Sequence, residues 1–151
     1  MGHALFGLSP FAPGADWPAR PDLRPVLRRV STAIIHVAEH GQGSDIALDR
    51  AFAIPRARRV AVLPVGLGHG VSRPRPDAGA AVIVAGAKVP VLGVSLEHTT
   101  LELPLDSPTL PGDAATLIGG EGDARIDLDQ YARWRGLSPL EALMQLAPER
   151  H

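Results

Sequence analysis

The sequence predicts a mainly β domain, a small barrel or sandwich with short helices at its C-terminal end. Three observations carry this. Short apolar runs recur along the chain with glycine or proline between them. Sixteen glycines and fifteen prolines among 151 residues favour turns over long helices. The tail, from Asp127 onward, carries helix-start signals.

At 151 residues, with 45% hydrophobic and 21% charged side chains, the chain reads as one domain with a hydrophobic core. Residues 1–25 are expected to be an irregular N-terminal segment and 26–151 the domain proper. Leu8-Ser-Pro-Phe-Ala-Pro-Gly14 and Trp17-Pro-Ala-Arg-Pro21 interrupt any regular element. Ala4 to Phe6 is a candidate short strand. Val30 to Val37, with Ile34, Ile35 and Val37, reads as one strand. Glu39 to Ser44 reads as a turn and Ile46 to Phe52 as one extended piece.

Arg59 to Val65 is apolar on both faces and therefore a buried strand. Gly66 to Gly79 is a long loop. Ala80 to Ala85 and Val89 to Val94 form a hairpin, with Lys88 at its tip. Thr99 to Leu103 alternates like a half-buried strand. Pro111-Gly-Asp113 turns the chain into the apolar strand Ala114 to Ile118, and Gly119 to Gly122 is a loop. Asp127 sits near the start of a short helix reaching Trp134. Ser138-Pro-Leu-Glu141 is a capping pattern: serine at the cap, proline at the first helical position, glutamate three residues after the cap. The helix that follows would turn Leu140, Leu143, Met144 and Ala147 toward the core. No internal repeat is visible.

The net charge is −1 with no basic block, so neither nucleic acid nor a membrane surface is an expected partner. The absence of cysteine excludes disulfides, thiolate catalysis and cysteine metal sites. No signal peptide and no membrane span is expected, and the cytoplasm is the expected location. Lys88 is the only lysine. A pyridoxal-phosphate enzyme holds its cofactor through a lysine imine. A hairpin-tip lysine suits solvent better, so no covalently bound cofactor is expected on this chain.

Gly66-Leu-Gly-His-Gly70 follows the strongest strand. Its N–H groups could cradle an anion, or its glycines could serve only to make a turn with positive φ. It lacks the spacing and the lysine of nucleotide-binding loops. Gly66, Leu67, Gly68, Gly70 and Arg73 are the candidate ligand-binding residues. Arg73 and Arg75 could grip a carboxylate or phosphate, or form a solvated loop. His36 and His40 are four residues apart in a strand-and-turn context, which does not suit a helical zinc pair.

Several segments in order resemble the C-terminal β-domain of alanine racemases. Val62-Leu-Pro-Val-Gly66 matches the family's strand into its Gly-Tyr-Ala-Asp-Gly loop. Pro90-Val-Leu-Gly93 and Val94-Ser-Leu-Glu-His-Thr99 resemble Pro-Val-x-Gly followed by Val-Ser-Met-Asp-Gln-Thr. Gly112-Asp113 with Leu117-Ile-Gly119 continues the series. Gly2 to Pro10 resembles the segment leaving the family's barrel, and Leu23 to Leu27 the start of its β-domain.

The resemblance implies a domain that caps the active site of a partner subunit in a pyridoxal-phosphate enzyme. Leu67 stands where the family has its acid/base tyrosine. Leu48-Asp49 replaces a Tyr-Gly pair, and Leu96-Glu97 a Met-Asp pair near the substrate carboxylate. Met1 falls just past the family's barrel, and His151 falls short of its terminal aromatic. The resemblance therefore implies a free-standing, degenerate domain without racemase activity of its own. It would act as a homodimer or complete a separate pyridoxal-phosphate barrel subunit, and any pyridoxal phosphate would come through that partner. The alternative is recruitment as a small-molecule isomerase or lyase. There His69, Glu97 and His98 would converge from two loops as acid/base groups, with a metal site as a further use of the same residues.

Overall fold

The computed structural model describes Phe6, Leu8 and residues 26–41, 45–48, 50–53, 57–120 and 122–146. The candidate strand Ala4 to Phe6, most of the irregular segment 1–25, Asp49, Ala147 and His151 lie outside the described residues. Among the described residues, nine strands and two α-helices follow in order: β1 Val30–Ala33, β2 His36–His40, β3 Asp45–Leu48, β4 Arg50–Ala53, β5 Arg58–Leu63, β6 Ala81–Val84, β7 Ala87–Val94, β8 Thr99–Leu103, β9 Ala114–Ile118, α1 Leu128–Arg135 and α2 Pro139–Gln145.

Seven strands form one antiparallel sheet in the order β1-β9-β6-β7-β8-β5-β2, and β3 pairs with β4. Its two edges, β1 and β2, are consecutive in the chain and separated only by Ile34 and Ile35. The sheet must therefore curl until its edges meet, which makes a half-barrel rather than a sandwich of two facing sheets. At the junction the Ile34 amide donates to Asp113 and the Ile35 amide to Val62, each at 2.9 Å. This corrects the single strand expected over Val30 to Val37: the chain leaves one neighbour and joins another at Ile34-Ile35.

Two further expectations change. β2 runs on to His40, into the expected turn, and Ile46 to Phe52 is a hairpin rather than one extended piece. β8, paired with β5 and β7 on its two edges, is buried at four of five positions rather than alternating. The β6–β7 hairpin stands as expected, turning through Ala85 and Gly86, but Lys88 lies in β7 opposite Ile83, just past the turn.

Ile34, Leu63, Val82, Val84, Leu101 and Ile118 fill the inside of the curl. Leu8 is buried in the same core. Tyr131 and Ala132 of α1 and Ala142 of α2 cover it from the tail. Asp127 caps α1 by accepting from the Gln130 amide at 2.7 Å. Ser138 and Glu141 cap α2 reciprocally: the Glu141 carboxylate accepts from the Ser138 amide at 2.7 Å and the Ser138 hydroxyl accepts from the Glu141 amide at 3.2 Å. Those bonds, the backbone one first, hold the Glu141 carboxyl below its ordinary range. Within α2 the expected apolar stripe is incomplete. Leu140 and Leu143 pack on the core, but Met144 is exposed.

Candidate functional site

The register of β5 against β8 places Leu63 opposite Thr99. The chain leaving β5 and the chain entering β8 therefore meet at one end of the sheet. The first makes a short 3-10 turn over Leu67–His69, and the second forms the link from Ser95 to His98. Backbone bonds join them: the Leu67 amide donates to Ser95 at 3.0 Å and the Gly68 amide to Leu96 at 2.8 Å. The buried Thr99 hydroxyl adds a bond to the Val65 carbonyl at 2.7 Å. Ser95 and His98 close the second loop, the Ser95 amide donating to the His98 carbonyl at 2.8 Å.

Glycine at position 66 permits this approach. A Cβ there would overlap the Ser95 carbonyl oxygen and stand 2.6 Å from the His98 amide nitrogen. At Gly70 the reason differs. Its φ is 77°, a left-handed conformation that disfavours a side chain, and it lies against the Gln145 carbonyl of α2.

Every amide from Gly66 to Val71 already has an acceptor within the protein. Gly66 donates to the His69 Nδ1 at 3.3 Å, and His69 and Val71 both donate to the Gly66 carbonyl, at 2.9 and 3.0 Å. Gly70 donates to Leu67 at 3.1 Å. In this conformation the turn offers an anion no row of free N–H groups, so the glycines act here as turn formers. Arg73 donates its Nε to the Val94 carbonyl at 3.0 Å, which ties it to the end of β7.

The two loops that carry His69, Glu97 and His98 are thus adjacent, and all three side chains are exposed. No hydrogen bond or ion pair joins these three side chains. His69 accepts from the Gly66 amide at Nδ1, a bond that in the neutral ring goes with the proton on Nε2. The Glu97 Oε1 lies 3.9 Å from where a Gly68 Cβ would stand. Among the described residues, no group of three histidine, cysteine, aspartate or glutamate side chains is placed to hold a metal. His36 and His40 lie on strand β2 rather than on a helix.

Beside these polar groups the same loops also present two apolar side chains. Leu67 is 39% exposed and Leu96 63% exposed. A groove lined by Leu27, Arg28, Ile118, Arg125 and Leu128 involves neither loop.

One residue near the turn carries no signal in the sequence. Arg135 on α1 is buried, stacks over the Tyr131 ring at 3.7 Å, and donates its Nε to the Ser72 carbonyl at 2.9 Å. In sequence it reads as one more helix-end arginine, suited to solvent and the helix dipole. Burial lowers its proton affinity, partly offset by Tyr131. Among the described residues, no helix is long and apolar enough to cross a membrane.

The family described as alanine racemase, C-terminal domain, matches residues 27–151. An alanine racemase of Haemophilus influenzae is 30% identical over 149 residues, which are 97% of this chain and 39% of that protein. One of Aeromonas hydrophila is 33% identical over 148 residues, 96% of this chain and 39% of that protein. The chain thus spans less than half the length of the curated relatives it matches. The crystal structure of alanine racemase from E. faecalis superposes with a TM-score of 0.76 at 23% identity, over 95% of this chain and 37% of that one. The likeness to that structure is one of fold.

Proposed function

This chain belongs to the family of alanine racemase C-terminal domains, and from that premise we propose that it works by association. The face made by the Gly66–Gly70 turn and the Ser95–His98 loop covers an active site that residues outside these 151 supply. The partner is a pyridoxal-phosphate barrel, or a second copy of the chain in a homodimer. Racemisation is not carried out by this chain itself.

The observation that carries the reading is the pair Leu67 and Leu96. Both are exposed leucines, on loops locked together through their backbones. The Leu96 Cδ1 lies 3.9 Å from where a Gly68 Cβ would stand, so Leu96 sits beside the turn that carries Leu67. Held in place and left uncovered, such an apolar pair favours a partner. In the family resemblance, Leu67 takes the place of a tyrosine that moves a proton. A leucine has no proton to move, and two-sided proton transfer needs a group on each face of the substrate.

The family's cofactor is held through a lysine imine. Lys88 does not fit that task. It is exposed at the second position of β7, beside a hairpin turn, with no enclosing groups. Pyridoxal phosphate therefore enters this reading only through the partner.

A second reading draws on the position of Glu97. Its carboxylate beside Gly68, with the Nε2 of His69 unengaged on the adjoining turn, supplies groups for proton transfer on a small molecule. His98 would be the third such group.

Sedimentation velocity tests the association. The purified chain is run alone and with an alanine racemase barrel lacking its own C-terminal domain, and D-alanine formation is followed in the same mixture. A complex without racemisation is expected. A chain that stays monomeric in both runs overturns the association, and racemisation by the complex overturns the inactive role of Leu67. Turnover of a small molecule lost on replacing His69 and Glu97 by alanine would favour the second reading.

A further inference from the structure

Resting on the reading that the Gly66–Gly70 turn faces a partner, we propose that Arg135 is the positioning residue of that turn. Through it, the helical tail sets how Leu67 and His69 are presented. The turn has two anchors. On its upstream side Leu67 and Gly68 are bonded to Ser95 and Leu96. On its downstream side the chain is fixed to the tail at successive points. Gly70 lies against the Gln145 carbonyl. The Ser72 carbonyl accepts from the Arg135 Nε at 2.9 Å, and the Ser72 hydroxyl donates to the Gln145 Oε1 at 2.5 Å. The Arg75 amide donates to the Trp134 carbonyl at 2.7 Å.

Arg135 is the member of this anchor whose chemistry needs explaining. It is 7% exposed, and no carboxylate pairs with it among the described residues. Its charge is answered by two carbonyl oxygens, Ser72 through Nε and Tyr131 through Nη1 at 3.3 Å, and by the Tyr131 ring face. A buried cation is a costly way to gain stability, since an apolar side chain of similar volume often serves as well. An apolar side chain cannot hold the Ser72 carbonyl from the side while stacked on a ring. A guanidinium fork can. Ser72 is two residues beyond the end of the turn, so fixing its carbonyl fixes the exit of the chain. The bond from the Gly66 amide to the His69 Nδ1 exists only while the turn is closed. The tautomer of His69 therefore reports on the anchor.

The test uses the full chain, without a partner, in two variants. Arg135→Met keeps an apolar stem and removes the donors. Arg135→Lys keeps the charge but cannot reach both carbonyls. Amide hydrogen exchange and the ring nitrogen signals of His69 are read by NMR. Exchange at Gly70 and Val71 is expected to quicken at least about tenfold, while Leu101 and Leu103 in β8 stay unchanged. His69 is expected to move from a single Nε2–H tautomer to the mixed pattern of a free imidazole. If Arg135→Met fails to fold, Arg135→Lys is read by the same criteria. Unchanged exchange at Gly70 and Val71, an unchanged His69 tautomer, or an equal rise throughout β8 would each overturn the positioning role. Since no partner is present, a failed association would leave this result intact. Association that persists with wild-type exchange would sink only the role of Arg135.

Discussion

The backbone N–H of Leu67 donates to the Ser95 carbonyl at 3.0 Å, and Gly66 beside it has no room for a side chain. A Cβ at Gly66 would meet three backbone atoms of the neighbouring loop, the Leu96 carbonyl oxygen among them at 2.7 Å. Backbone cannot swing aside as a side chain can. The Gly66 dihedrals, φ −147° and ψ −154°, suit any residue, so the penalty is purely steric. Gly66→Ala is expected to destabilise the fold by about 1–3 kcal/mol, the usual range for overpacking. At Gly68 the nearest atom is 3.3 Å away, and Gly68→Ala should cost less. Urea unfolding of both variants checks this, and coincident midpoints would refute the steric account.

Leu67→Tyr restores a phenol at the position where the family resemblance has one. Leu67 is 39% exposed and packs in no core, so stability should change by no more than about 0.5 kcal/mol. Mixed with a pyridoxal-phosphate barrel lacking its own C-terminal domain, the variant is expected to form D-alanine where the wild-type chain does not. Chiral chromatography of the product measures it. Equal rates for the two chains would remove Leu67 from the account of inactivity.

Much of this architecture was legible because local signals agreed with the tertiary outcome. The apolar run expected over Arg59 to Val65 became β5, which ends at Leu63, and Ser138 with Glu141 capped α2 as their spacing predicts. The bend at Ile34-Ile35 was not legible. No glycine or proline marks it, and two β-branched residues in an apolar run read as continuous strand. The bend exists because the curled sheet gives the first half of the run β9 as neighbour and the second half β5. The alternation over Thr99 to Leu103 suggested one solvated face for β8, yet Thr100 is buried as well. At the site, the nearness of the two loops came from the family resemblance, since their spacing of about thirty residues says nothing by itself. Arg135 stayed hidden because its meaning lies in a contact with Ser72, 63 positions away.

The turn between β6 and β7 carries a correctable fault. Ala85 sits at φ 49° and Gly86 at φ 78°, the mirror-image geometry that tight hairpins favour. Glycine accepts this freely. An alanine pays about 1–2 kcal/mol for it. Ala85 is exposed and has no packing role to lose. Ala85→Asn, which suits a left-handed turn position, should stabilise the protein by about 0.5–1 kcal/mol. Thermal unfolding would register this as a higher midpoint. A lower one would mean that the turn is held by something other than its own dihedrals.

Tyr131 is 1% exposed, and among the described residues its hydroxyl finds no hydrogen-bond partner. A buried, unsatisfied polar group costs about 1–3 kcal/mol of desolvation. Tyr131→Phe removes that oxygen and keeps the ring beneath the Arg135 guanidinium, so it should stabilise the fold by about 1 kcal/mol. Burial also raises the phenol above its ordinary value of 10.0, with the nearby Arg135 charge opposing the rise. The sign follows directly. A raised folded value means that the unfolded chain releases the phenolic proton first as pH climbs. The wild-type fold thus keeps its full stability below pH 10 or so and loses part of it as pH rises from there toward the folded value. Tyr131→Phe has no such proton to release. The advantage of the variant should widen above about pH 10 and stay constant below it, as read by urea unfolding across the alkaline range. Parallel stability curves for the two proteins would show that the phenol ionises alike in the folded and unfolded chain, and would contradict its burial.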